Sequence, residues 1–180
     1  GGAWIFTRSG STWTQQGSEL KGSGNTGAAY QGVSVALSAD GNTAMLGGSQ
    51  DNSFNGAAWV FTRSGSTWTQ QGSKLTGTGN TGAAGQGFSV SLSADGNTAI
   101  IGGGSDNLSA GASWVFTRSG STWTQQGSKL VGSDYSGDAS QGNAVCISAD
   151  GSNAIAGGLN DNSGEGAAWI YVPSSALPVN

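Results

Sequence analysis

Histidine is absent from the 180 residues. That removes His-centred triads, imidazole acid–base catalysis and the usual zinc-binding sets. A single cysteine, Cys146, cannot close an internal disulfide. Placed with Val35 and Val90 of the other repeats in an alternating strand pattern, it reads as a small, buried apolar side chain. Charge is scarce: 6 Lys and Arg stand against 10 Asp and Glu, for a net charge of −4. No basic cluster is available to pair with phosphates, which speaks against a nucleic-acid partner. No run approaches the ~18 apolar residues of a membrane-spanning helix, so membrane insertion is not expected. The 3.6-residue periodicity of an amphipathic helix is missing as well. The chain starts without a Met and without a leader-like segment, and reads as a processed product or an excised piece.

What is present is glycine (34 residues), seven Trp, and repetition. FTRSGSTWTQQGS occurs at 6–18, 61–73 and 116–128 without a change, and Trp4, Trp59, Trp114 and Trp169 recur at a constant spacing of 55 residues. A fixed period of this length points to a propeller, solenoid or array. The second repeat divides into four strand-like segments. Ala57–Arg63 places Trp59, Phe61 and Arg63 on one face and Ala58, Val60 and Thr62 on the other. Ser64-Gly65-Ser66 reverses the chain into Thr67–Gln71, polar apart from Trp68, which suits an outer strand. A glycine-rich connection, Thr76 to Gly87, leads to Phe88-Ser89-Val90-Ser91-Leu92, whose strict alternation is a strand signature. Ala94-Asp95-Gly96-Asn97 turns the chain into Thr98–Ile101.

Two hairpins per period make a four-stranded antiparallel unit, so the expected fold is all-β, built of propeller-type blades. A β-solenoid with long coils is the alternative. The Phe88–Leu92 type of strand is placed innermost, where Ser34, Ala36, Ser89 and Ser91 suit close approach of neighbouring blades. The expected organisation is a half blade at 1–32, blades at 33–87 and 88–142, and a partial blade at 143–172. A Pro-containing linker follows at 173–180.

The pattern GQGFSVSLSADGNTAIIGG…GAAWVFTRSGSTWTQQGSKL resembles FG-GAP-type blades of bacterial surface and secreted proteins, distantly similar to the integrin α-chain propeller. The resemblance runs to Val172 and implies a propeller. Calcium-binding members carry several aspartates in the corresponding hairpin. Here each hairpin has one, Asp40, Asp95 or Asp150, short of the six to eight oxygens calcium takes. Those aspartates are read as turn formers, and no cofactor or metal is assigned. The ALPVN ending resembles the linker before the sorting domain of type IX exported proteins of Bacteroidetes, which implies an extracellular or cell-surface location.

Candidate binding residues come in threes. Asp51-Asn52, Asp106-Asn107 and Asp161-Asn162 could hydrogen-bond sugar hydroxyls or hold a cation; Asx-turns that shape the loop are the plainer alternative. Trp13, Trp68 and Trp123 could form sugar-stacking platforms or pack on the strand beside them. Trp4, Trp59, Trp114 and Trp169 are expected between blades, with Arg8, Arg63 and Arg118 stacked on them or solubilising hairpin ends. Repeats differ mostly in loops, at Gln50/Ser105/Asn160, Phe54/Ser109/Gly164 and Tyr30/Gly85/Ser140. No general acid–base pair emerges: most acids are copied, and Asp134, Asp138 and Glu165 are confined to the last unit's loops.

The sequence thus reads as a non-catalytic extracellular scaffold, adhesion or interaction module. A multivalent carbohydrate-binding propeller lectin is the alternative, and a self-assembling filament subunit a remoter one. The expected partners are a second copy, joined through open strand edges, and glycans or a surface protein.

Overall fold

The computed structural model describes residues 1–173; of the linker expected at 173–180, all but Pro173 lies outside the described residues. Four antiparallel sheets follow one another along the chain. The first has two strands, β1 (Ala3–Ser9) and β2 (Thr12–Leu20). The second is ordered β3 (Ser34–Leu37), β4 (Thr43–Gly48), β5 (Ala57–Ser64), β6 (Thr67–Gln70). The third repeats it as β7 (Ser89–Leu92), β8 (Thr98–Gly103), β9 (Ala112–Ser119), β10 (Thr122–Gln125). The fourth has three strands, β11 (Ala144–Ile147), β12 (Ala154–Gly158) and β13 (Ala167–Tyr171). Registers repeat with the sequence: Leu46 faces Trp59 as Ile101 faces Trp114.

The hairpin turns follow from glycine at positive φ, Gly65 at 61° and Gly96 at 67°. The strands persist because each buries its alternate residues against the next sheet. Ala3 and Ile5 pack on Leu46, Trp59 and Phe61. Met45, Ala58 and Val60, on the opposite face of that second sheet, pack on Val90, Leu92, Ile101, Trp114 and Phe116. Ile100 and Val115 then pack on Val145, Ile147 and Tyr171 of the fourth. The core is therefore a series of layers between sheets. Strands β3, β7 and β11 lie against one another from sheet to sheet, so one edge of the second, third and fourth sheets is gathered to the same side.

Close approach there uses the small residues the sequence provides. Ser34 Oγ donates to the Gly87 carbonyl at 2.8 Å and Ser89 Oγ to that of Gly142 at 2.9 Å. A methyl group on Gly47 would come within 1.9 Å of the Gly87 oxygen. Trp59 and Trp114 are fully buried between sheets. The indole of Trp59 lies on Gly22, in the connection that precedes its own sheet, and its Nε1 donates to the Ser23 carbonyl at 2.8 Å. Trp114 repeats this on Gly77 and Thr78, and Trp169 on Gly132 and Ser133.

Two expectations are corrected. The arginines stack on the outer-strand indoles rather than on the Trp4 set, with Arg63 and Arg118 at 5.6 and 5.4 Å from the ring centroids of Trp68 and Trp123. They are cross-strand neighbours, paired Arg63 with Trp68, which places guanidinium over ring. Cys146 aligns in its strand with Ala36 and Ser91, not with Val35 and Val90, and it is exposed. It shares the open face of the fourth sheet with Ile155 and Ile170.

Replacing Trp114 by alanine is expected to cost about 3–5 kcal/mol, as for a large aromatic removed from a packed core. Gly77→Ala, whose new methyl would sit 2.1 Å from Trp114 Cδ1, should cost about 1–3 kcal/mol through overpacking. Urea denaturation monitored by far-ultraviolet circular dichroism measures both.

Candidate functional site

The connections between β4 and β5, and those leading from one sheet to the next, share one face of the molecule. The amide of Gly85 donates to the Phe54 carbonyl at 2.8 Å and that of Gln86 to the Asn55 carbonyl at 3.0 Å. Inside each inter-sheet connection a buried glutamine clamps the backbone. Gln31 Nε2 donates to the Gly22 carbonyl at 2.8 Å while its Oε1 accepts the Gly22 amide at 2.6 Å, a side-chain copy of a strand pairing. Gln86 holds Gly77 and Gln141 holds Gly132 in the same way. The sequence offers a signal for these in the repeated Gln-Gly pair, but nothing local shows that the amide turns inward.

The β4–β5, β8–β9 and β12–β13 connections form short turns at Asp51–Phe54, Asp106–Ser109 and Asp161–Gly164. Their backbone is left-handed: φ is 48°, 55° and 66° at Asn52, Ser53 and Phe54, and 48°, 56° and 69° at Asn107, Leu108 and Ser109. Side chains other than glycine and asparagine resist this conformation, at about 1–2 kcal/mol each. Each turn is held by its aspartate. Asp51 is buried; it accepts the Thr26 amide at 2.7 Å through Oδ1 and pairs with Lys74 through Oδ2. Asp106 does the same with the Thr81 amide, at 2.6 Å, and with Lys129. Asp161 accepts the Ser136 amide at 2.7 Å. Asn52, Asn107 and Asn162 begin the left-handed stretch, and their own amides donate to Thr26, Thr81 and Ser136.

The six Asp/Asn candidates are thus brought together in pairs as clamps between turn and connection. The carboxylates reach amides 25 residues away in sequence, where Asx-turns bond only to their own turn. Lys74 and Lys129 were missed because each lies 23 residues from its aspartate, beyond any local pattern.

The tryptophan candidates occupy the opposite, outer edge of the sheets. Gln16 Oε1 accepts from Trp68 Nε1 at 3.2 Å and from Arg63 Nη1 at 3.2 Å; Gln71 takes the same two donors from Trp123 and Arg118 at 3.0 and 3.1 Å. Each glutamine belongs to the repeat before. Trp68 and Trp123 are half-buried in these locks, and Trp13, in the first sheet, is exposed.

Asp40, Asp95 and Asp150 stay within their own hairpins. Asp40 accepts the Ser38 hydroxyl at 2.6 Å, then the Asn42 amide and side chain, both at 2.9 Å. These bonds, the Ser38 hydroxyl first, hold its pKa down at about 2, and the equivalent bonds from Ser148 and Ser152 do so for Asp150. Asp95 is lowered for the same reason, with Ser93 leading. Among the described residues, no three His, Cys, Asp or Glu side chains gather as a metal-holding group.

On the loop face a cleft of about 270 Å³ opens between the second, third and fourth sheets. Ser49, Gln50 and Phe54 line it from one turn and Gly104 and Ser105 from the next; Gly85, Phe88, Ser140 and Asn143 come from the two connections. All nine stand at repeat positions where the three copies carry three different residues, Ser49/Gly104/Leu159 and Val33/Phe88/Asn143 joining the sets named above.

Replacing Lys74 by methionine strands the buried Asp51 carboxylate and should cost about 3 kcal/mol. Acid should weaken the hairpins in a defined window. The folded pKa of about 2 at Asp40 and Asp150 lies below the ordinary 3.8, so their contribution is complete above about pH 4 and lost as pH falls towards 2. The combined Asp40→Ala, Asp95→Ala and Asp150→Ala variant should therefore show a flatter urea midpoint across that range than the parent chain.

No family model and no curated protein matches the sequence. Among solved structures the chain is similar to TolB from Acinetobacter baumannii, at 14% identity and a TM-score of 0.42. The similarity covers 90% of this chain and 35% of that one, so the chain spans about a third of that protein's length.

Proposed function

We propose that the chain is a non-catalytic extracellular interaction module of propeller type, in which copied sheets form a rigid frame and one loop face does the binding. The observation that carries this is the convergence of three-way differences on the loop-face cleft, while the clamping glutamines and the Asp-Asn pairs around it are the same in every copy. A frame kept constant around variable positions is a common way to build a binding surface. Antiparallel sheets stacked face to face, with β3, β7 and β11 gathered to one side, favour blades over solenoid coils. The divergent positions can be tested with residues borrowed from the chain's own copies. A Gln50→Ser, Phe54→Ser, Phe88→Val variant should melt within a few degrees of the parent. Beads coated with the parent should adhere to polysaccharide- or matrix-coated surfaces, and beads coated with the variant should not. Equal adhesion, or none by either protein, overturns the reading.

Self-association is the second reading, favoured by one observation. Ile155 and Ile170 are exposed on the last sheet at the places where Met45, Ile100 and Val60 are buried against a following sheet. A second copy offers the matching face through Val35 and Leu37, which are exposed on β3. Sedimentation velocity of the chain should show association that Ile170→Lys abolishes; a concentration-independent monomer removes this reading.

A further inference from the structure

We infer that the loop-face cleft is a site for one neutral, polyhydroxylated ring, a pyranoside; this rests on the interaction-module reading above and gives that surface its ligand class. Its composition is the argument. No lining residue carries charge, and Asp51, the acid beside the turn, is buried against Lys74. A phosphate or carboxylate ligand would meet no counter-charge and would lose its hydration for nothing in return. The polar groups are instead the amides of Gln50 and Asn143 and the hydroxyls of Ser49 and Ser105, each able both to donate and to accept, beside Ser140, whose hydroxyl is already held by Asp138 and Asn160. Sugar hydroxyls need that dual capacity.

The frame's glutamines have their amides bound to backbone, whereas among the described residues Gln50 and Asn143 make no side-chain hydrogen bond within the protein. Phe54 and Phe88 add two partly exposed aromatic rings, 56% and 45% accessible, which suit the C–H face of a pyranose. At about 270 Å³ the cleft falls just under the ~300–1,000 Å³ typical of small-ligand sites, a size for one ring rather than a chain.

The chain also shows how the cleft is kept open. Gly85 stands where the first copy has Tyr30 and the third has Ser140, all three at positive φ, 66°, 56° and 57°. A Cβ at Gly85 would meet only the Ser105 side chain, at 3.6 Å, so a tyrosine there keeps the fold and fills the space. Asn143 likewise stands where Val33 and Phe88 do, and valine at that place removes the amide without a foreign shape.

The test titrates the whole chain, observed by ¹H–¹⁵N NMR, with the methyl glycosides of glucose, galactose, mannose and fucose. Methyl glucuronide serves as the charged arm, and bead adhesion to a neutral polysaccharide is measured in parallel. At least one neutral glycoside should shift the resonances of Gln50, Ser105, Ser140 and Asn143. Asn143→Val should weaken it about tenfold, roughly one hydrogen bond's worth, and Gly85→Tyr, which takes on the positive φ that Tyr30 already holds, should abolish it while the chain still unfolds cooperatively, a few degrees lower. A response to the glucuronide alone overturns the inference, as does adhesion that survives Gly85→Tyr; both leave the interaction module standing. Free glycosides that bind without polysaccharide adhesion support the site and identify the ligand as a free sugar. No glycoside response together with no adhesion sinks both.

Discussion

An indole ring lying on a glycine sets the distance between one repeat and the next. Trp59 has no room for a side chain at Gly22, since a methyl there would be 2.1 Å from its ring, nor at Gly48, where a methyl would be 2.6 Å from the ring's other end. The connection entering each sheet must therefore pass flat across the Trp, and the Trp Nε1 takes the next carbonyl of that connection. With the backbone pinned there, Gln31 can reach across and hold Gly22 by both its amide and its carbonyl. Burying these polar groups is tolerable only because each is paired, in a layer that also excludes water from Leu46 and Phe61. The same three-part contact occurs at Trp114 and Trp169, so the spacing of sheets is copied along with the sequence.

This explains why FTRSGSTWTQQGS recurs unchanged. Its residues answer to two repeats at once. Gln70 accepts the Ser23 amide at 2.7 Å, tying the outer strand to the connection entering its sheet. Gln71 takes the Arg118 and Trp123 side chains of the repeat that follows. Arg63 holds the Asn42 side chain with two of its nitrogens while it lies over Trp68. A substitution in one copy would break a lock with a neighbour that still carries the old partner. Drift is then penalised even where the residue is half exposed, as Trp68 is.

Strands, hairpins and the order of the four segments were legible because alternation, β-branching and Gly-containing turns are local properties of the sequence. The serine positions of β3 and β7 announced close packing for the same reason. What could not be read was long-range. Lys74 finds Asp51 across 23 residues, and Gln16 finds Trp68 across 52, neither with any spacing rule behind it. The left-handed turns were hidden differently. Asn52 tolerates positive φ, but Ser53, Phe54 and Leu108 give no hint of it, because their conformation is imposed by the clamp and not by their own preference. Cys146 was misplaced by one residue, and in a strand one residue reverses the face.

The clamp also accounts for where the chain is free to vary. Three consecutive left-handed residues cost several kcal/mol on the ~1–2 kcal/mol scale per residue. Asp51 offsets this with a buried ion pair and a bond to the Thr26 amide, while Asn52 returns its own amide to Thr26. None of these bonds involves the side chain of residue 50 or 54. Their counterparts can therefore be Gln, Ser or Asn, and Phe, Ser or Gly, without loosening the turn. Strain absorbed at the invariant Asp-Asn pair is what lets its neighbours differ, and those neighbours are the ones that face the cleft.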